Sequence, residues 1–176
     1  ILVAWNDTRT DYPRETPVHR LFVAQAAQTP DAVALSFEGA TLTYAELNRR
    51  ANRLARRLRE MGVGPEVGAG VYVERSFEMV VGVLGILKAG GAYVPLDPTY
   101  PQERLAFMIA DTQAPVILTH TKLAGKLPAY SGQTVNLDDD PGSAYADDDL
   151  DGGATANSLA YVMYTSGSTG APKGTG

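Results

Sequence analysis

The segment Phe77–Lys88, FEMVVGVLGILK, constrains the fold more than any other stretch of this chain. It reads as a helix, yet Met79, Val80, Val81, Val83, Leu84, Ile86 and Leu87 leave almost no side of that helix polar. A helix of this kind has to be sandwiched, with a sheet on one side and further structure on the other. Gly82 and Gly85 each cost roughly 1 kcal/mol of helix propensity, which close packing against a neighbour would justify. Ser76 is placed to cap the first turn. Lys88-Ala89-Gly90-Gly91 ends the helix.

The other elements fit around it. A helix through Leu21, Phe22, Ala24, Gln25 and Ala26 ends near Thr29-Pro30, and Val33–Phe37 reads as a strand that turns at Glu38-Gly39 toward Leu42. Thr43 and Glu46 have the spacing of a capping box, opening a helix with Leu47, Ala51, Leu54, Ala55 and Leu58 on one face. Val71–Val73, Ala92–Val94, Val116–Leu118, Thr134–Leu137 and Leu159–Thr165 read as strands. Gly68 and Gly70, just ahead of Val71, are expected to weaken that strand's packing. Pro101 suits the first turn of a helix running to about Ala110, with Leu105, Met108 and Ile109 inward and Phe107 at the edge. Helices alternating with strands predict an α/β fold, layered helices on a mainly parallel sheet. The 176 residues, 44% hydrophobic, can bury one core. Ending at Gly176, just after a strand and a loop, would leave a sheet edge uncovered.

Composition removes several kinds of chemistry. The chain has no cysteine, which excludes disulfides and thiol nucleophiles. No apolar stretch reaches a membrane-spanning length and the N-terminus has no basic region followed by a hydrophobic one, so a cytoplasmic protein without membrane contact is expected. Residues 138–176 hold seven aspartates and only Lys173 as a cation. All seven fall in Asp138–Asp151, a stretch with the composition of a solvated loop and without the ligand spacing of a calcium loop. The arginines at 49, 50, 53, 56, 57 and 59 read as the solvated side of an amphipathic helix, and nucleic acid is not expected as a partner. His19 and His120 have no metal-site pattern around them and read as structural or surface residues. Met61, Met79, Met108 and Met163 read as packing residues. Asp97, between Leu96 and Pro98, reads as a turn or cap residue.

The stretch Tyr164-Thr165-Ser166-Gly167-Ser168-Thr169-Gly170-Ala171-Pro172-Lys173-Gly174 carries the chemistry. Glycines let backbone N–H groups converge on phosphate oxygens, hydroxyls add donors, and Lys173 adds charge. The lysine follows a proline and precedes a glycine, so this is not a Walker A loop. From the residues alone, a polyphosphate site and a flexible Gly/Ser loop both remain open.

Three separated segments decide between them by resemblance. Leu42–Leu47, Leu87–Asp97 and Tyr164–Gly174 resemble, in order and separation, the first three core motifs of nonribosomal peptide synthetase adenylation domains. Trp5-Asn6 and Tyr12-Pro13 resemble the stretch that enters such a domain from a condensation domain. The resemblance covers essentially the whole chain. It implies a lead-in or linker at 1–16 and, at 17–176, the N-terminal portion of the large subdomain of an adenylate-forming enzyme, incomplete at its C-terminus. It implies a ligase of secondary-metabolite biosynthesis that forms an aminoacyl-adenylate from an amino acid and ATP with Mg2+, releases pyrophosphate and loads a phosphopantetheine thiol. The partners implied are the peptidyl carrier and condensation domains of one assembly line. Thr165, Ser166, Gly167, Ser168, Thr169, Gly170 and Lys173 are the residues matched to ATP binding, with no catalytic and no metal-binding residue among them. The pocket, hinge and catalytic lysine of the family lie beyond this stretch, so the 176 residues alone are expected to be inactive. An acyl- or aryl-CoA ligase is the alternative enzyme reading, and a non-catalytic interaction domain of the same fold is the alternative outside enzymes.

Overall fold

The computed structural model describes residues 5–139, 144–165 and 173–176. Helix α1 (Val18–Gln28) leads into a hairpin of β1 (Val33–Phe37) and β2 (Ala40–Thr43), and α2 (Tyr44–Glu60) follows at once. Thr43 caps α2 by accepting from the Glu46 N–H at 3.2 Å. The capping box is only half formed, because the Glu46 carboxylate turns away from the backbone to Arg49 and to Arg50, 2.8 Å from the latter.

Next come β3 (Gly68–Tyr72), α3 (Phe77–Ala89), β4 (Ala92–Pro95), α4 (Gln102–Thr112), β5 (Val116–Thr119), the short α5 (Thr121–Ala124) and β6 (Gln133–Asn136). The four strands form a sheet in the order β4-β3-β5-β6, parallel at every junction. Period-two alternation splits the core. Ala69, Val71 and Val73 meet Leu54, Leu58 and Ile86 from α2 and α3, whereas Tyr72, Val94 and Ile117 meet Leu105, Met108 and Ile109 from α4. Helix α3 is thus sandwiched between the sheet and α2, as its all-round apolarity requires. Ser76 caps it, accepting from Met79 N–H at 3.2 Å.

Four readings need correction. Strand β3 starts at Gly68, and its glycines serve the packing they were expected to weaken: a Cβ on Gly70 would lie 2.9 Å from Ile117 Cγ1 and 3.0 Å from Leu96 Cδ1. Their absence of side chain leaves that space to the two neighbouring strands. The expected strand Leu159–Thr165 is divided into a single parallel bridge, Tyr93↔Tyr161, and a short β7 (Met163–Thr165) that pairs antiparallel with β8 (Lys173–Thr175). Met163, read as a packing residue, is 43% exposed and does not pack inside, whereas both histidines, buried at 5% exposure, are structural residues as read.

The fourth correction is the largest. The described part of the acidic stretch at 144–151 is not a free loop and the basic face of α2 is not simply solvated, because Arg53, Arg56 and Arg59 dock on that segment. Arg53 Nη2 lies 3.1 Å from Asp147 Oδ2 and Arg56 Nη2 2.8 Å from Asp148 Oδ1. Arg56 also donates to the carbonyls of Ala146 and Asp148, and Arg59 to that of Asp151. Arg20 on α1 reaches Asp151 at 3.1 Å. Residues 144–151 therefore form a strap across α2.

Candidate functional site

The residues on either side of the glycine-rich stretch pair as a two-stranded stem. Strands β7 and β8 pair Met163 with Thr175, Tyr164 with Gly174 and Thr165 with Lys173. Thr165 and Lys173, two of the predicted site residues, are thereby brought opposite one another at the closing pair, both exposed. The predicted residues Ser166, Gly167, Ser168, Thr169 and Gly170 lie outside the described residues. Thr165 and Lys173 are paired residues on either side of a stretch whose sequence holds two glycines and three further hydroxyls, residue types suited to phosphate oxygens.

Two anchors place the stem. Tyr93 on β4 donates its N–H to Ala160 O and accepts from Val162 N–H, both at 3.0 Å, so the segment ahead of β7 runs parallel along the edge of the sheet. Tyr164 then packs on α4. Its hydroxyl donates to Asp111 Oδ2 at 2.6 Å and its ring meets Phe107 edge-on, with centroids 6.3 Å apart. Burial, and then the Asp111 carboxylate, push the Tyr164 phenol well above the ordinary tyrosine range. Phe107, expected at the rim of its helix face, joins Asp111 in tying α4 to the stem.

Because the segment at 160–162 is parallel to β4, the stem leaves the sheet at the carboxyl ends of its strands. Ligands of open parallel sheets bind at that edge, near the point where strand order reverses. Here β3 lies between β4 and β5, with α3 and α4 on opposite faces. A crevice of about 740 Å³ opens at that edge, floored by Val71, Val73 and Met79 and rimmed by Arg75, Asp97 and Lys126. Asp97 is a turn residue, as expected: its Oδ1 accepts from the Thr99 N–H at 2.9 Å and hydroxyl at 2.8 Å, which holds the carboxyl below the usual range. Sequence reasoning passed over Arg75 and Lys126. The available signal for Arg75 was its position in the short link between β3 and the Ser76 cap of α3.

Among the described residues, no group of three or more histidine, aspartate or glutamate side chains is placed to hold a metal ion.

A family model described as AMP-binding enzyme matches residues 22–175, from α1 through β8. The chain belongs to the AMP-binding enzyme family. Its similarity to nonribosomal peptide synthetases extends over its whole length. It is 51% identical over 174 residues to tyrocidine synthase 3 of Brevibacillus parabrevis, covering 99% of this chain and 3% of that protein. It is 50% identical over 185 residues to chondramide synthase cmdD of Chondromyces crocatus, covering 99% of this chain and 5% of that protein. Among solved structures, a nonribosomal peptide synthetase, FmoA3, in its alpha-methyl-L-serine-AMP bound form superposes with a TM-score of 0.85 at 36% identity. That match covers 98% of this chain and 19% of FmoA3. The N-terminal subdomain of Klebsiella oxytoca NpsA, 22% identical with a TM-score of 0.79 over 92% of this chain and 42% of that one, shares the fold. The AMP-binding enzyme chain described here thus spans a small part of the relatives it matches.

Proposed function

We propose that this chain supplies the phosphate-binding hairpin of an amino-acid-activating ligase, which joins an amino acid carboxylate to the alpha-phosphate of ATP, releases pyrophosphate and passes the aminoacyl group to a phosphopantetheine thiol. The observation that carries this reading is the stem that sets Thr165 against Lys173 at the carboxyl edge of a parallel sheet, within a chain of the AMP-binding family. Thr165, Ser166, Gly167, Ser168, Thr169, Gly170 and Lys173 hold the beta- and gamma-phosphates through backbone N–H groups, hydroxyls and one ammonium. ATP supplies the leaving group and the energy of activation. The residues of this chain orient its phosphates and offset the charge that builds up as pyrophosphate leaves. Mg2+ arrives on the phosphates.

Residues 17–176 are part of the adenylation domain and 1–16 a lead-in, with Trp5 79% and Tyr12 63% exposed ahead of α1. The carrier and condensation domains of a cytoplasmic assembly line are the proposed partners. No helix among the described residues is long and apolar enough to cross a membrane. Because the chain covers 19% of the FmoA3 chain, the reaction is assigned to the intact protein and not to these residues alone.

The test is amino-acid-dependent exchange of pyrophosphate into ATP by the intact protein, with Lys173→Met and Thr169→Ala variants. Both should raise the KM for ATP while leaving that for the amino acid unchanged. Unaltered ATP affinity and turnover in both variants would remove the phosphate assignment. Activation of fatty or aryl acids and not amino acids would move the protein to the CoA-ligase reading, and absence of ATP binding to the intact protein would move it to an interaction domain.

A further inference from the structure

Lysine is rarely fully buried, yet Lys88 is 1% exposed, at the junction of α2, α3 and the acidic strap. Its Nζ donates to Asn52 Oδ1 at 2.7 Å and to Asp149 Oδ1 at 3.1 Å, and lies 5.9 Å from the centre of the Phe22 ring. The same Asp149 oxygen accepts from Asn48 and Asn52, each at 3.0 Å, and Asn52 also donates to the Asp147 carbonyl at 2.7 Å. Asp149 thus brings the strap's only ionic contact with a fully buried cation among the described residues. A buried charge deprived of its counterion is costly, so Lys88 holds the strap down as firmly as the strap satisfies Lys88.

The docking continues past Asp149. Gly90 ends α3 in the left-handed region, at φ 96°, and a Cβ on Gly152 would overlap the Lys88 carbonyl and the Gly90 nitrogen. Only two glycines can bring the backbones this close. Beyond Gly153, Thr155 and Ser158 close a turn, Leu159 N–H donates to Glu66 Oε1 at 3.2 Å, and Ala160 pairs with Tyr93. The motif Leu87–Asp97 therefore grips the path to the hairpin twice: Lys88 on Asp149, and Tyr93 on Ala160 and Val162.

We propose that Lys88 is a positioning residue for the phosphate-binding hairpin, acting through Asp149 and the strap 144–151. The role in ATP binding rests on the function proposed above; the docking of the strap does not.

The experiment compares Lys88→Met, Asp149→Asn and the double variant in the intact protein, by amide hydrogen exchange and by pyrophosphate exchange. Asp149 is half exposed, so its substitution tests the contact even where loss of the buried lysine prevents folding. Exchange across residues 145–165 should rise on the order of tenfold or more in each single variant, with α2 and β5 unchanged. The double variant should be no worse than the more affected single one. The KM for ATP should rise while that for the amino acid holds. Unchanged protection of the strap in Asp149→Asn, additive effects in the double variant, or a rise spread equally over β5 would overturn the proposal, the last by making Lys88 a core-packing residue only. In the unsubstituted protein, Mg-ATP should slow exchange at 163–176. If it does not, the phosphate reading falls, and the strap measurements still decide whether Lys88 positions the hairpin.

Discussion

The contact between α2 and α3 gives a sharp test of why Gly85 is a glycine. A Cβ there would sit 2.8 Å from Leu54 Cδ2 and 2.9 Å from Leu54 Cγ, against about 3.5–4.0 Å for an ordinary carbon contact. Gly85→Ala therefore gains about 1 kcal/mol of helix propensity and loses about 1–3 kcal/mol to overpacking. The expected net loss is about 1 kcal/mol. Leu54, 3% exposed, should cost about 3 kcal/mol when cut to alanine. In the double variant the two crowding atoms are gone, leaving Leu54 Cβ at 3.2 Å, and the new methyl fills part of the cavity. The pair should then cost about 2 kcal/mol in total, roughly 2 less than the sum of the singles. Urea unfolding followed by far-ultraviolet circular dichroism measures all three. Additivity within about 0.5 kcal/mol would refute the reasoning, as would a Gly85→Ala variant about 1 kcal/mol more stable, since α2 and α3 would then not depend on this close approach.

Thr43→Ala should cost about 1 kcal/mol in the same assay by removing the α2 cap, while Glu46→Gln, whose side chain serves Arg50 and not the backbone, should cost less. Acid should loosen the strap. Burial disfavours the ionised form of Asp149, but hydrogen bonds from Asn48, Asn52 and Lys88 outweigh it and hold the carboxyl below its ordinary 3.8. The hydrogen bond from Arg50 lowers Glu46 from its ordinary 4.5 in the same way. A carboxyl lowered by folding adds stability above its unfolded value and loses it as pH falls through its folded one. Stability should therefore decline from about pH 4.5 downward, and the protection of amides at 145–151 should fall below about pH 3.8, a fall that Asp149→Asn should reduce and that Asp151, lowered by the Gly153 N–H and then Arg20, should share.

Much of the fold was legible because its signals are local. The leucine and alanine face of α2, the Ser76 cap, the all-round apolarity of α3 and the inward trio of α4 each lie within a few turns of chain, and the structure places them as the spacing requires. What escaped notice depends on partners far away in sequence. Gly70 makes sense only beside Ile117 and Leu96. Lys88 reads only as part of a helix end until Asp149 and Asn52 close over it. Arginines and aspartates each read as solvated because ionic complementarity between distant segments leaves no periodic mark. The hairpin stem was hidden for another reason, since Met163–Thr165 and Lys173–Thr175 are too short to display alternation. Of the candidate site, the residue types and their order came from sequence, and the pairing of Thr165 with Lys173 came from structure.

The strap also sets an order of events during synthesis. Its aspartates and carbonyls reach the side chains of α2 across 90 to 101 residues of chain. At roughly 5–20 residues per second, α2 emerges from the ribosome several seconds before the segment that neutralises it. For that interval a helix bearing six arginines faces solvent with Glu46 and Glu60 as the acidic residues of its own length. The aspartates that follow are counter-charges delivered late, Asp147 to Arg53 and Asp148 to Arg56, which the helix's own two glutamates do not reach.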